Sequence, residues 1–398
     1  MDVNFLAQES TTRAFIGQRV LKTPDNPYGF QLVDCVPFDR PAVLVLTGSG
    51  TRERSGEENG HKSANGYLSD VERILKSHGI KDGVDLYALI HHFGRDEYGK
   101  EAFDDAMARK KLLADHHVPF VEEAFYSQHK PKFSGGKYVL QNSKGQKIEQ
   151  TLNNETLNPT YVDELFDKTF LPRLCDEKGE KLPVEEACRR LRNLTVVAHC
   201  HGAYTFLKIE EKMQQKMNDL GYSSRERAQI QKQLLCVACA PEAPLGVSKS
   251  TMISFASAAD AHLTTDNNFA RFVRYENFPA AYFPDKHGEV FLAKTYTSKE
   301  GRKAVIGGIE HAFFRFEDED WHSKDWMFLF DFFSNAVANG VRGSIEGRPL
   351  SSVKDLVCGD DERANGLFEQ MKTRGEILWH RMIQRTKLNS KFLRSSGR

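Results

Sequence analysis

Residues Ala42-Val43-Leu44-Val45-Leu46 are apolar at every position, and the run ends at once in Thr47-Gly48-Ser49-Gly50. A strand with one wet face alternates in polarity. A strand without alternation is buried on both faces, which is the condition of a parallel sheet sandwiched between helices. The next fifty residues keep to that pattern. A polar loop, Thr51 to Ser63, leads into a helix whose apolar positions Tyr67, Leu68, Val71, Ile74 and Leu75 share one face and which stops at Gly79. Asp85 to His91 then reads as another strand. Ala14 to Leu21 and Phe30 to Val36 read as earlier strands, separated by a proline- and glycine-bearing turn.

The rhythm breaks from His92 to Asn193, a stretch far longer than one crossover requires, and this reads as a large α+β insertion. Within it the pattern places a helix near Glu101 to Asp115, a hairpin near Gly136 to Leu152, and helices near Tyr161 to Cys175 and Val184 to Leu191. The sheet resumes at Leu194 to Ala198, followed by a helix from Gly202 to Leu220 closed by Gly221. Strands at Leu234 to Ala240 and Met252 to Ala256 come next, then Glu289 to Thr295 and Lys303 to Ile306, and a closing helix from Ser323 to Ala338. The resulting division is 1–91 as the first part of the core, 92–193 as insertion or lid, 194–340 as the second part of the core, and 341–398 as a helical basic extension. A chain of 398 residues has ample material for such a core.

Charge narrows the partners. Lys+Arg and Asp+Glu are both 55, which argues against a nucleic-acid polyanion as main partner. The neutrality hides an asymmetry: from Lys372 to Arg398 eight basic residues face only Glu376, a local +7, so the remaining chain carries −7. Weak contact with an acidic surface through this basic tail, 372–398, is the one macromolecular contact the charge suggests. Seven scattered cysteines do not form the paired framework of a secreted scaffold. Met1 to Phe15 lacks an apolar signal core, and the greasiest run, Trp326 to Phe333, is interrupted by Asp331. A soluble, cytoplasmic protein without a transmembrane segment is expected.

The sharpest chemical signal is Thr195-Val196-Val197-Ala198-His199-Cys200-His201-Gly202-Ala203, an apolar strand passing through a short turn into an amphipathic helix. A nucleophile at such a turn stands on a strained backbone at the C-terminal edge of the sheet, beside a helix N-terminus that favours a thiolate. The small Ala198 and Gly202 allow strand and helix to approach closely.

Ala198-His199-Cys200-His201-Gly202 resembles the nucleophile elbow of the α/β-hydrolase superfamily, small-x-nucleophile-x-small, with Cys in place of Ser and Ala in place of the first Gly. The resemblance implies an α/β fold with a mostly parallel central sheet of α/β-hydrolase type. It implies an acid after a later strand, which Asp260 supplies, and a base after the last strand, which His311 in Gly307-Gly308-Ile309-Glu310-His311 supplies, with His322 as the alternative. It also implies an oxyanion hole from the backbone N–H groups of Ser49 and His201. Cys200, Asp260 and His311 then form a Cys-His-Asp triad that acts on an ester, thioester or lactone through an acyl-enzyme, with a small-molecule or acylated substrate. An acyltransferase or cysteine protease on the same site, and a non-catalytic interaction protein of the same fold, are the alternatives.

No organic cofactor is implied, and the metal patterns are weak. In His199-x-His201 the two histidines flank the proposed nucleophile, Cys236-x-x-Cys239 lies inside an apolar strand, and His91-His92 and His116-His117 are unspaced pairs. No metal is expected. Gly48 to Gly50 is not a phosphate loop, because no Gly-Lys-Ser/Thr comes after it. Arg52 and Arg54 sit among Glu53, Glu57 and Glu58, the composition of a solvated charge network.

Overall fold

Side chains alternate across a strand, so a doubly buried strand must serve two cores at once, and the central strands do so. Val43 and Val45 face one core, where they meet Val71, Leu75 and Val337. Leu44 and Leu46 face the other, with Phe170, Leu191 and Phe206. A computed structural model of the chain describes residues 13–16, 31–33, 35–47, 57–89, 136–141, 147–152, 162–163, 165–241, 248–257, 278, 280–284, 289–293 and 324–395. The helix expected near Glu101 to Asp115 and the strand expected at Lys303 to Ile306 lie outside these residues.

The main sheet has nine strands, β1 (Arg13–Ile16), β2 (Gln31–Val33), β3 (Ala42–Leu46), β4 (Asp85–Leu89), β7 (Leu194–His199), β8 (Leu235–Cys239), β9 (Thr251–Ser257), β10 (Ala280–Phe283) and β11 (Glu289–Ala293). Their spatial order is β10-β11-β9-β8-β7-β3-β4-β1-β2. Every pairing is parallel except β10 with β11, an antiparallel hairpin at one edge. The α/β class with a mostly parallel sheet is therefore present. A separate hairpin, β5 (Gly136–Gln141) and β6 (Lys147–Leu152), pairs Gly136 with Leu152 and lies apart from this sheet.

One face is covered by α1 (Glu57–Ser77), α5 (Lys324–Ile345) and α6 (Val353–Cys358). The other is covered by α2 (Val184–Arg192), α3 (His201–Asp219) and the stretch around Phe166 to Leu174. That stretch is a π-helical turn, Phe166–Phe170, running into a 3-10 turn at Leu171–Arg173, where Pro172 lacks the N–H a continuing α-helix needs. Arg173 is fully buried. Its guanidinium donates to the carbonyls of Val36 (3.1 Å) and Pro37 (2.7 Å) and to Thr169 O, which fixes the chain leading into β3. Burial lowers its ionisation to about 9.

A short α4 (Ser224–Gln231) is opened by a reciprocal capping box between Ser223 and Glu226. The helical C-terminal extension is α7 (Glu362–Ser395), which lies on the edge strand β10. Gly375 makes that approach workable, since a Cβ there would overlap the carbonyl of Tyr282. Phe368, Met371, Leu378 and Met382 carry the buried face of α7. A covered edge strand cannot template pairing with another chain. Among the described residues, no helix is long and apolar enough to cross a membrane.

Candidate functional site

The connections of the sheet reverse direction between two adjacent strands. From β3 the chain leaves through α1 to β4 on one side, whereas from β7 it leaves through α3 to β8 on the other. The loops at the C-terminal ends of β3 and β7 thus part from one another and open a crevice, the place where open α/β sheets bind ligands. Cys200 is the first residue after β7.

Its backbone is strained. Cys200 has φ 53° and ψ −123°, a conformation that L side chains avoid and glycine adopts with ease. The ladder runs one bond past the strand, with Cys200 N–H donating to Cys239 O at 3.2 Å. The positive φ then turns the chain sharply so that α3 begins at His201, and the Cys200 carbonyl accepts from Ala203 N–H at 3.1 Å. The N–H groups that open a helix have no partner within it, so those of His201 and Gly202 are left to face whatever occupies this end of the helix. Ala240, next after β8, has φ 44° and donates its N–H to Phe255 O at 2.8 Å. Two neighbouring strands therefore end in left-handed residues at the same edge of the sheet.

Gly202 is required by a neighbour. A Cβ on Gly202 would overlap the backbone carbonyl of Leu46, the last residue of β3. From sequence, the small residue at 202 reads as a contact between strand β7 and its own helix. The structure places the close approach one strand over, against β3, which locks the start of α3 to the start of the loop after β3. That loop is anchored at its first residue: Thr47 is fully buried, and its hydroxyl donates to Leu89 O at 2.8 Å, bridging the ends of β3 and β4.

A pair with no sequence signal lies beside Cys200. The Tyr67 hydroxyl on α1 and Nδ1 of His199 are 2.6 Å apart, both residues are buried, and the rings meet at 5.4 Å between centroids. They are 132 positions apart in the chain. This bond ties α1 to the residue preceding Cys200.

Of the residues expected to form the site, Cys200 and the backbone of His201 stand together at the junction of β7 and α3. Ser49, Asp260, His311 and His322 lie outside the described residues. In the chain, Asp260 follows β9 and precedes β10, whereas His311 and His322 fall between β11 and α5. Cys200 is 3 % exposed. None of the seven cysteines is in a disulfide. Burial pushes the thiols of Cys175 and Cys188 up, that of Cys236 far up, and that of Cys358 to about 11. Cys236 and Cys239 face opposite cores, so the CxxC spacing here does not converge on one point. No protein-family model matches the chain, and no curated protein matches it.

Proposed function

We propose that the chain is an acyl hydrolase of the α/β-hydrolase type, acting on an ester, thioester or lactone with Cys200 as nucleophile. The observation that carries this reading is the strained backbone of Cys200 at the point where the sheet connections reverse. Ala240 shares the positive φ at this edge, so what singles out Cys200 is a thiol carried on such a backbone directly at the start of α3. The N-terminus of α3 adds a field that favours the thiolate.

In this reading His311 takes the Cys200 thiol proton, and the sulfur attacks the acyl carbonyl carbon, forming a C–S bond as the carbonyl electrons move to oxygen. The backbone N–H groups of His201 and Ser49 receive that oxyanion. Collapse expels the alcohol or thiol, which takes a proton from the His311 imidazolium. Water then attacks the thioester with His311 as base, releasing the carboxylic acid and restoring Cys200, while Asp260 holds the imidazole in the productive tautomer. Transfer to an alcohol or amine differs only in the second nucleophile. The order β7, β9, β11 of the strands that precede Cys200, Asp260 and His311 supports this assignment.

The 3 % exposure of Cys200 favours a second reading, a non-catalytic α/β protein in which the thiol is packed. Steady-state hydrolysis of a panel of acyl thioesters and esters separates the two. The enzyme reading expects turnover that falls by about 10⁴ or more in Cys200→Ala. It also expects a comparable fall in His311→Ala but not in His322→Ala. Absence of turnover across the panel supports the non-catalytic reading.

A further inference from the structure

The hydrogen-bond ladder that holds β7 ends unevenly. On the β3 side its last rung sets Leu46 against Ala198, whereas on the β8 side it continues to Cys239 against His199. His199 thus lies one residue past the last β3 rung and one residue before the strained φ of Cys200. At this residue the side chain joins a different layer: Nδ1 of His199 lies 2.6 Å from the Tyr67 hydroxyl on α1. Both residues are buried, and Tyr67 belongs to the same core as Leu68, Val71 and Val43. Polar groups taken out of water into such a core are costly unless they are paired, so the two are held together by what either would lose alone.

A left-handed backbone at a residue other than glycine persists only where its surroundings over-determine it. The Cys200 N–H donates to Cys239 O at 3.2 Å, and its carbonyl accepts from Ala203 N–H at 3.1 Å. Gly202 packs against the Leu46 carbonyl. The Tyr67–His199 bond adds a hold on the residue before Cys200. It is made by side chains, so it can be removed without altering the backbone ladder.

We infer that Tyr67 and His199 are positioning residues for Cys200, the bond between them fixing the end of β7 so that the thiol is held at the start of α3. This role rests on the reading of Cys200 as a reactive nucleophile. Neither side chain needs to touch the substrate, because a displacement of about 1 Å at a reacting group is enough to cost on the order of 10²-fold in rate.

Iodoacetamide labelling of the native full chain, followed cysteine by cysteine through peptide mass spectrometry, tests it. The sulfur forms an S–C bond and expels iodide while the thiol proton passes to buffer, so the rate reads how the thiol is presented with no acyl substrate required. Half-buried Cys35 serves as the reference for the reagent, and buried Cys188 and Cys358 report any opening of the core. The inference expects Cys200 to be labelled about tenfold more slowly in Tyr67→Phe, which keeps the ring and removes only the hydroxyl. His199→Ala should lose as much and the double variant no more, since two residues acting through one bond are not additive. His199→Asn, whose side-chain amide offers an oxygen or a nitrogen in place of Nδ1, should stay within about threefold of the parent. Cys35 should keep its rate in every variant, with Cys188 and Cys358 unlabelled. A bond that serves stability alone moves the readings the other way, with Cys200, Cys188 and Cys358 all labelled faster as the core opens, and that result overturns the inference. An unchanged Cys200 rate in Tyr67→Phe, additive losses in the double variant, or a His199→Asn as slow as His199→Ala also overturns it, while leaving Cys200 as nucleophile. A parent chain labelled at Cys35 but not at Cys200 overturns the nucleophile reading itself, and the positioning role with it.

Discussion

Gly202 and Leu46 stand so close that a single added methyl group at 202 would occupy the place of the Leu46 carbonyl oxygen. This contact joins the helix that begins after Cys200 to the strand that feeds the loop carrying Ser49. Gly202→Ala must therefore push apart β3 and α3, at a cost of about 1–3 kcal/mol for overpacking. Urea unfolding should register that loss. Any reactivity of Cys200 should fall with it, because the same displacement moves Cys200 relative to the end of β3.

Strain at Cys200 has a thermodynamic signature. If φ 53° is held by the fold against the preference of the residue, Cys200→Gly should gain about 1 kcal/mol while abolishing thiol chemistry, and Cys200→Ala should not gain it. Paired chemical denaturation of the two variants measures the difference. Equal stabilities would mean that the backbone at 200 is unstrained.

Tyr67→Phe removes one partner of the 2.6 Å bond to His199 and leaves a buried ring nitrogen without it. A loss of about 1–2 kcal/mol is expected in equilibrium unfolding. The backbone at Cys200 should also loosen, seen as faster amide exchange at residues 199 to 201 than at the far end of β7.

Tyr222 gives an alkaline test. Its single hydroxyl proton is shared between two carbonyls, Leu174 O (2.9 Å) and Leu182 O (2.8 Å), and burial pushes its ionisation from 10.0 to about 12. In the folded state the phenol keeps its proton longer than in the unfolded chain. Its contribution is therefore complete below pH 10 and lost as pH rises toward about 12. Tyr87 and the buried thiol of Cys358 act in the same direction, and Arg173 acts in the opposite one. The difference between the parent chain and Tyr222→Phe isolates Tyr222: the variant should lose less stability between pH 10 and 12.

Legibility in the sequence depends on how local each signal is. The doubly buried strand Ala42–Leu46 is readable to the residue, because five apolar positions between turn residues leave no other register. The turn at Cys200 is readable for the same reason, as a strand pattern switching to a helix pattern. Strand β10 is not: Ala280–Phe283 is four residues long and flanked by Pro279 and Pro284, which read as loop punctuation. An edge position tolerates prolines that a central strand excludes. Helix α4 carries a usable cue, Ser223 three residues before Glu226, that hydrophobic period alone passes over. Near Tyr161 to Cys175 the period suggests one helix, but Pro172 divides it into π and 3-10 turns. The Tyr67–His199 bond and the Gly202–Leu46 contact join distant parts of the chain, and no local pattern encodes either.

The most direct test of the central claim is intact-mass spectrometry of the full chain after incubation with a panel of acyl thioesters and activated esters. Cys35→Ala serves as the background, because Cys35 is the one cysteine that is not buried. The acyl-enzyme reading expects a mass gain of one acyl group, mapped to Cys200 and absent in Cys200→Ala, with the buried thiols of Cys175, Cys188, Cys236, Cys239 and Cys358 unmodified. Acylation that persists in Cys200→Ala, or a chain that neither gains mass nor releases free acid from any member of the panel, would contradict it.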